Sequence, residues 1–138
     1  MYLVDTNVIS EVHKGDRANR GVRRFFRDII DTGQPAYLSA VTIGEFQRGI
    51  GLIRHRGDHA QAEQLEDWLT RVRGEYGDAI PPIDSDIVLI WRHLRTPPPE
   101  DALDKLMAAT DLIYDLPMVT RNQPDFAATG ARIWNPFM

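Results

Sequence analysis

The chain opens on a short apolar run, Tyr2, Leu3 and Val4, that ends on an acid, Asp5. These residues suit a buried strand, and the following "NVISEVHK" reads as a short helix stopping at Gly15. In "RANRGVRRFFRDIID", Val22, Phe25, Phe26 and Ile29 recur at helical spacing, with Arg17, Arg20, Arg24 and Arg27 on the other side. "PAYLSA" predicts a second strand. Ser39 or Thr42 then caps a helix "VTIGEFQRGIGLIRH" that buries Ile43, Phe46 and Ile50 and breaks near Gly57. A further helix from about His59 to Arg73 carries Ala62, Leu65, Trp68, Leu69 and Val72 on its apolar face. "DAIPPI" predicts a third strand, and "SDIVLIWRHL" a helix that the prolines of "RTPPPE" terminate. "DALDKLMAATDLIYD" is helical, with a core stripe of Leu103, Leu106, Met107, Thr110, Ile113 and Tyr114. "PMVT" and "ARIW" predict the last two strands, separated by the turn-rich "RNQPDF".

Short strands alternating with helices indicate an α/β fold, with a central short-stranded parallel sheet flanked by helices on both faces. Residues 1–138 are expected to form a single domain, long enough to bury a core without staples. Composition adds mainly exclusions. No apolar run approaches the roughly 18 residues of a membrane span, and Met1 leads straight into strand-like residues with no leader pattern, so a cytoplasmic protein without membrane attachment is expected. The absence of cysteine excludes disulfides and thiolate metal sites, leaving oxygen or imidazole as metal donors. A net charge of −4 gives no global attraction to nucleic acid, yet 14 of the 16 basic residues are arginine, the side chain best shaped for phosphate.

Four acids stand in unusual places. Asp5 ends the first strand; Glu45 lies between apolar residues near the start of its helix; Asp104 falls in the first turns of another; Asp125 follows the "MVTRN" strand end. Each has an ordinary reading: a helix cap, a surface glutamate, a first-turn acid favoured by the helix dipole, a turn residue. In a parallel sheet, however, strand C-termini and the N-termini of the following helices share one edge, so these four can converge. Four carboxylates in one cleft repel unless a cation neutralises them, and oxygen-only ligation favours Mg²⁺ or Mn²⁺.

The stretches "YLVDTNVIS", "TIGEFQRGI", "DKLMAATD" and "MVTRNQPDF…NPF" together resemble the PIN-domain ribonucleases and, within them, the VapC-like and FitB-like toxins of toxin–antitoxin pairs. The resemblance spans nearly the whole chain. It implies a PIN-like domain and an endoribonuclease that hydrolyses RNA phosphodiesters with Mg²⁺ or Mn²⁺, leaving a 5′-phosphate and a 3′-hydroxyl. Asp5, Glu45, Asp104 and Asp125 match the family's metal-binding acids. Thr6 matches a hydroxyl position beside them, and Thr120, Arg121 and Asn122 match the strand-end triplet before the last acid. A cognate VapB-like or FitA-like antitoxin whose C-terminal segment occupies the cleft is implied, as is a homodimer that can enter a larger toxin–antitoxin assembly. Two alternatives within the fold are a free-standing RNA-processing nuclease and a non-catalytic interaction module. A metal-dependent phosphatase would need a second aspartate where Asn7 stands.

Three further features bear on the site. Asp101, three residues before Asp104, competes for the third acid, although motif alignment favours Asp104. Asp111 replaces the family's usual alanine one heptad after Asp104, about 10.5 Å along the helix and on the same face, and is expected to be solvated rather than to support the site. Positive charge for RNA is expected from Arg17, Arg20, Arg23, Arg24, Arg27, Arg48 and Arg121, foremost Arg20, Arg24, Arg48 and Arg121. His55 and His59 are four apart, but Gly57 interrupts them and no third ligand is evident, so the histidines are read as surface or structural residues.

Overall fold

The computed structural model describes residues 1–94 and 102–138. The proline run assigned to end a helix, and Asp101, lie outside the described residues. Among the described residues four parallel strands are present: β1 (Tyr2–Val4), β2 (Ala36–Leu38), β3 (Met118–Val119) and β4 (Ile133–Trp134), in the order β2-β1-β3-β4. Seven α-helices are seen among the described residues: α1 (Thr6–Val12), α2 (Arg20–Thr32), α3 (Ala40–His55), α4 (His59–Tyr76), α5 (Ser85–Leu94), α6 (Ala102–Tyr114) and the single turn α7 (Gln123–Phe126). The expected α/β architecture is therefore observed.

Strand alternation divides the core into two layers. Val4, Leu38 and Val119 face Val8 and Ile9 of α1, Val22, Phe25 and Ile29 of α2, and Val72 of α4. Leu3 and Met118 face the other way, against Val41 of α3, Met107 and Ala108 of α6, and Phe126 of α7. Both faces are covered, so every strand C-terminus opens onto one edge, where Asp5, Ser39 and Thr120 follow β1, β2 and β3.

The helix ends follow local chemistry. Ser39 caps α3, its hydroxyl oxygen accepting the Val41 N–H at 3.1 Å, while Thr42 is fully buried. Asn19 caps α2 through the N–H groups of Gly21 and Val22, and Gly33 ends that helix in the left-handed conformation at φ 70°.

Three local expectations need correction. "DAIPPI" is not a strand: Gly77–Ala79 is a 3-10 turn and residues 80–84 join no ladder, because Pro81 and Pro82 have no N–H to give a neighbouring strand. Part of "RNQPDF" is helical, Gln123–Phe126, with Pro124 in the first turn where its missing N–H costs nothing. The stripe on α6 is shifted. Met107, Ala108, Ala109, Thr110 and Asp111 are buried, whereas Leu103, Ile113 and Tyr114 are exposed. The buried face of α6 is therefore made of Met107 and small or polar residues, while Leu103, Leu112, Ile113 and Tyr114 face away.

Candidate active site

Asp5 ends β1 and is 4% exposed. Its two readings coexist. One oxygen, Oδ1, accepts the Thr6 N–H at 2.7 Å and so caps α1. The other, Oδ2, accepts the Thr120 hydroxyl at 2.7 Å and the Asn7 side-chain amide at 2.9 Å. Burial pushes its pKa above the usual carboxylate value; the three donors pull it back, and the negative charge of Asp125 raises it again.

The donors are themselves fixed. Thr120 is fully buried at the end of β3, and its oxygen accepts the Asn122 N–H at 2.9 Å. Asn7 links α1 to the β3 exit from both ends: its amide also reaches Thr120 at 3.3 Å, and its carbonyl oxygen accepts the Arg121 N–H at 3.0 Å. The Thr6 hydroxyl donates to the Thr42 hydroxyl oxygen at 3.1 Å, which ties α1 to α3 one turn before Glu45. Asn7 and Thr42 are site residues that sequence reasoning passed over. In the sequence Asn7 marks a helix start and argues against a phosphatase, and Thr42 is a possible cap; the available signal for Asn7 is its place two residues after a strand-end acid.

Glu45, Asp104 and Asp125 line one cleft of about 480 Å³, together with Arg48, Gly49, Leu103 and Asn122. These residues come from α3, the first turn of α6, and the β3 exit with α7. The edge shared by strand and helix ends thus brings together three of the four acids, and Asp5 is coupled to them through the charge of Asp125. Thr120 and Asn122 stand where the sequence placed them, and Arg48 lines the cleft. Arg20 and Arg24 do not. Both lie on α2, where Arg24 borders a separate 310 Å³ cavity and faces Asp28 at 3.9 Å.

Asp111 overturns its expectation of solvation. It is 3% exposed, its Oδ1 has no hydrogen-bond partner among the described residues, and it does not line the acid cleft. Burial pushes its pKa up to about 7, opposed by the charge of Arg132 and aided by that of Asp115. The heptad spacing keeps it on the face of Asp104, but α6 carries it down into the core. The histidines match their reading: all four are exposed on or beside helix ends.

The metal expectation can be tested on donor chemistry. Among the described residues, no three His, Asp or Glu side chains are grouped tightly enough to hold an ion as they stand. The donor set nevertheless fits a hard divalent cation. It is oxygen only, it shares one edge, and its buried member is destabilised by an acidic neighbour in the way a cation would relieve.

A family model, the PIN domain, matches residues 2–131. The chain is 28% identical over 143 residues to Toxin FitB of Neisseria gonorrhoeae, covering 99% of each protein. The crystal structure of FitAcB from the same organism superposes with a TM-score of 0.85 at 27% identity, covering 99% of this chain and 98% of that one. A toxin–antitoxin complex from Klebsiella pneumoniae shares the fold at a TM-score of 0.68 and 21% identity, with 99% and 98% covered. With the acids gathered on one sheet edge and a family model spanning nearly its whole length, the chain belongs to the PIN-domain family.

Proposed function

We propose that this protein is a Mg²⁺- or Mn²⁺-dependent endoribonuclease toxin, restrained in the cell by a cognate antitoxin of the VapB or FitA kind. The observation that carries the reading is the cleft lined by Glu45, Asp104 and Asp125 beside a buried Asp5 that three donors hold in place. Asp5, Glu45, Asp104 and Asp125 would hold the cation. When bound, it supplies a water of lowered pKa and offsets the charge that develops on the leaving 3′ oxygen. Thr120, Asn7 and the Thr6 N–H keep the Asp5 carboxylate oriented, and Asn122, fixed to Thr120, sets the start of the turn that carries Asp125. A cleft acid accepts the proton of the attacking water as its oxygen bonds to phosphorus; the bond from phosphorus to the 3′ oxygen breaks and that oxygen takes a proton from solvent, giving a 5′-phosphate and a 3′-hydroxyl. Arg48, at the cleft wall, is placed to meet a backbone phosphate.

The kinship with Toxin FitB supports the toxin role, and a nuclease toxic to its own cell requires a restraint. A trough lined by Ile9, Phe26, Ile30, Trp68 and Tyr76, with Arg71 at its edge, offers a partner chain an apolar seat of about 590 Å³. Exposed Leu89, Leu112, Ile113 and Tyr114 on α5 and α6 support a homodimer. No described helix is long and apolar enough to cross a membrane.

The test is to incubate the protein, purified free of antitoxin, with total RNA with and without Mg²⁺ or Mn²⁺, beside Asp5→Asn, and to map the new 5′ ends. Discrete metal-dependent cuts bearing 5′-phosphates, lost in the variant, are expected. Equal cutting by Asp5→Asn would overturn the assignment of the site.

A further inference from the structure

The last residues of the chain are fastened beside the site. Asn19 holds Met138 from both sides, its amide donating to the Met138 carbonyl oxygen at 3.1 Å and its Oδ1 accepting the Met138 N–H at 3.1 Å. The Asn135 side chain accepts the Phe137 N–H at 3.0 Å, and Pro136 is buried. The seat is made by a glycine: a Cβ on Gly21 would lie 1.9 Å from the Pro136 carbonyl oxygen and 2.5 Å from Met138 Cγ. Nothing in the acid chemistry uses this arrangement.

Its product is the position of one arginine. The Arg121 guanidinium lies over the Phe137 ring, 4.8 Å from the centroid. Its backbone N–H is held by Asn7, the residue that also holds Asp5. Arg121 is exposed and forms no ion pair within 4.0 Å among the described residues. A guanidinium resting on a ring keeps the N–H donors at its edge available, and these match a phosphate. Arg24 borders the cavity formed by the same tail.

We propose that Arg121, propped on Phe137 by the docked 135–138 segment, binds a backbone phosphate of the RNA next to the acid cleft. Gly21, Asn19 and Phe137 act as positioning residues. The inference rests on the nuclease reading and deepens it: an acid cluster repels a polyanion, and Arg121 carries positive charge on the residue between Thr120, which holds Asp5, and Asn122, which lines the acid cleft.

The test measures binding of a fluorescent single-stranded RNA by anisotropy across a KCl series, in an Asp5→Asn background so that the strand stays intact. Arg121→Ala should weaken binding about tenfold and lower the slope of log affinity against log salt by about 0.7, the signature of one lost phosphate contact on a single strand. Phe137→Leu and Gly21→Ala keep the charge but free the guanidinium. They should each weaken binding about threefold with the slope unchanged, while Phe137→Trp retains parental affinity. Parental affinity and slope in Arg121→Ala would overturn the phosphate contact. Loss in Arg121→Ala with parental binding in both Phe137→Leu and Gly21→Ala would overturn the role of the tail. If the parent binds no RNA and wild type cuts none, the nuclease reading itself fails. If Arg121→Ala instead weakens only the complex with a protein partner, Arg121 belongs to a protein interface and the inference falls.

Discussion

Two buried aspartates divide this molecule into a working edge and an inert interior. Asp5 is 4% exposed and Asp111 is 3% exposed, and burial raises both pKa values. The difference is in their partners. Asp5 accepts from a backbone N–H, a hydroxyl and a side-chain amide, whereas Oδ1 of Asp111 accepts from nothing described. A carboxylate supplied with donors is prepared to be an anion in a buried place, ready for a cation; one left without them is stable there chiefly as the neutral acid. Burial alone marks neither as functional.

The largest effect expected from breaking this contrast is at Thr120. Thr120→Val keeps the shape of a fully buried side chain but removes the 2.7 Å bond to Asp5 and the anchor for the Asn122 N–H. Groups that orient ligating carboxylates typically contribute 10- to 100-fold to affinity. Mn²⁺ affinity measured by calorimetry should fall by about that factor while the fold is retained. Unchanged affinity would show that Asp5 needs no support from β3.

At Asp111 the expected effect is on stability. The folded-state pKa of about 7 lies above the ordinary 3.8, so the folded protein holds a proton that the unfolded chain releases. The resulting cost is absent below about pH 4, grows as pH rises toward 7, and is complete above it. Asp111→Asn removes the titration. Urea unfolding should show the variant more stable than wild type by about 1–3 kcal/mol at pH 8, with that gain much reduced at pH 5. A constant difference at the two pH values would mean that Asp111 stays ionised in the fold.

The same pair shows what was legible in the sequence. Strand residues, helix faces and the four dispersed acids follow from periodicity and from where strand ends meet helix starts, so the sheet edge and its cleft were readable. Asp111 was not. Heptad spacing gave the correct face, but how deeply that face sinks depends on how α6 packs with distant segments, where Met107 and Ala108 join Leu3, Met118 and Phe126 in one core layer. The "DAIPPI" strand fails for a local reason, since Pro81 and Pro82 lack two of the N–H groups that a ladder would need. Asn7 escaped because one asparagine making two bonds to residues more than a hundred positions away, as well as one to Asp5 beside it, has no sequence pattern.

The smallest expected effect concerns how the working edge is braced. The Thr6 and Thr42 hydroxyls meet at 3.1 Å, joining the helix that starts at Asp5 to the helix that carries Glu45. Thr42 is fully buried, so Thr42→Val leaves the Thr6 hydroxyl short of a partner and should cost about 1 kcal/mol. Thr6 is only half-buried and can turn to water, so Thr6→Val costs more by stranding Thr42 than by its own loss. The double variant should therefore cost less than the sum of the singles, with a coupling of about 0.5–1 kcal/mol in denaturant unfolding. If the two costs simply add, the hydroxyls do not communicate, and the spacing between Asp5 and Glu45 is set by the core layer that Val8 of α1 shares with Ile43 and Phe46 of α3.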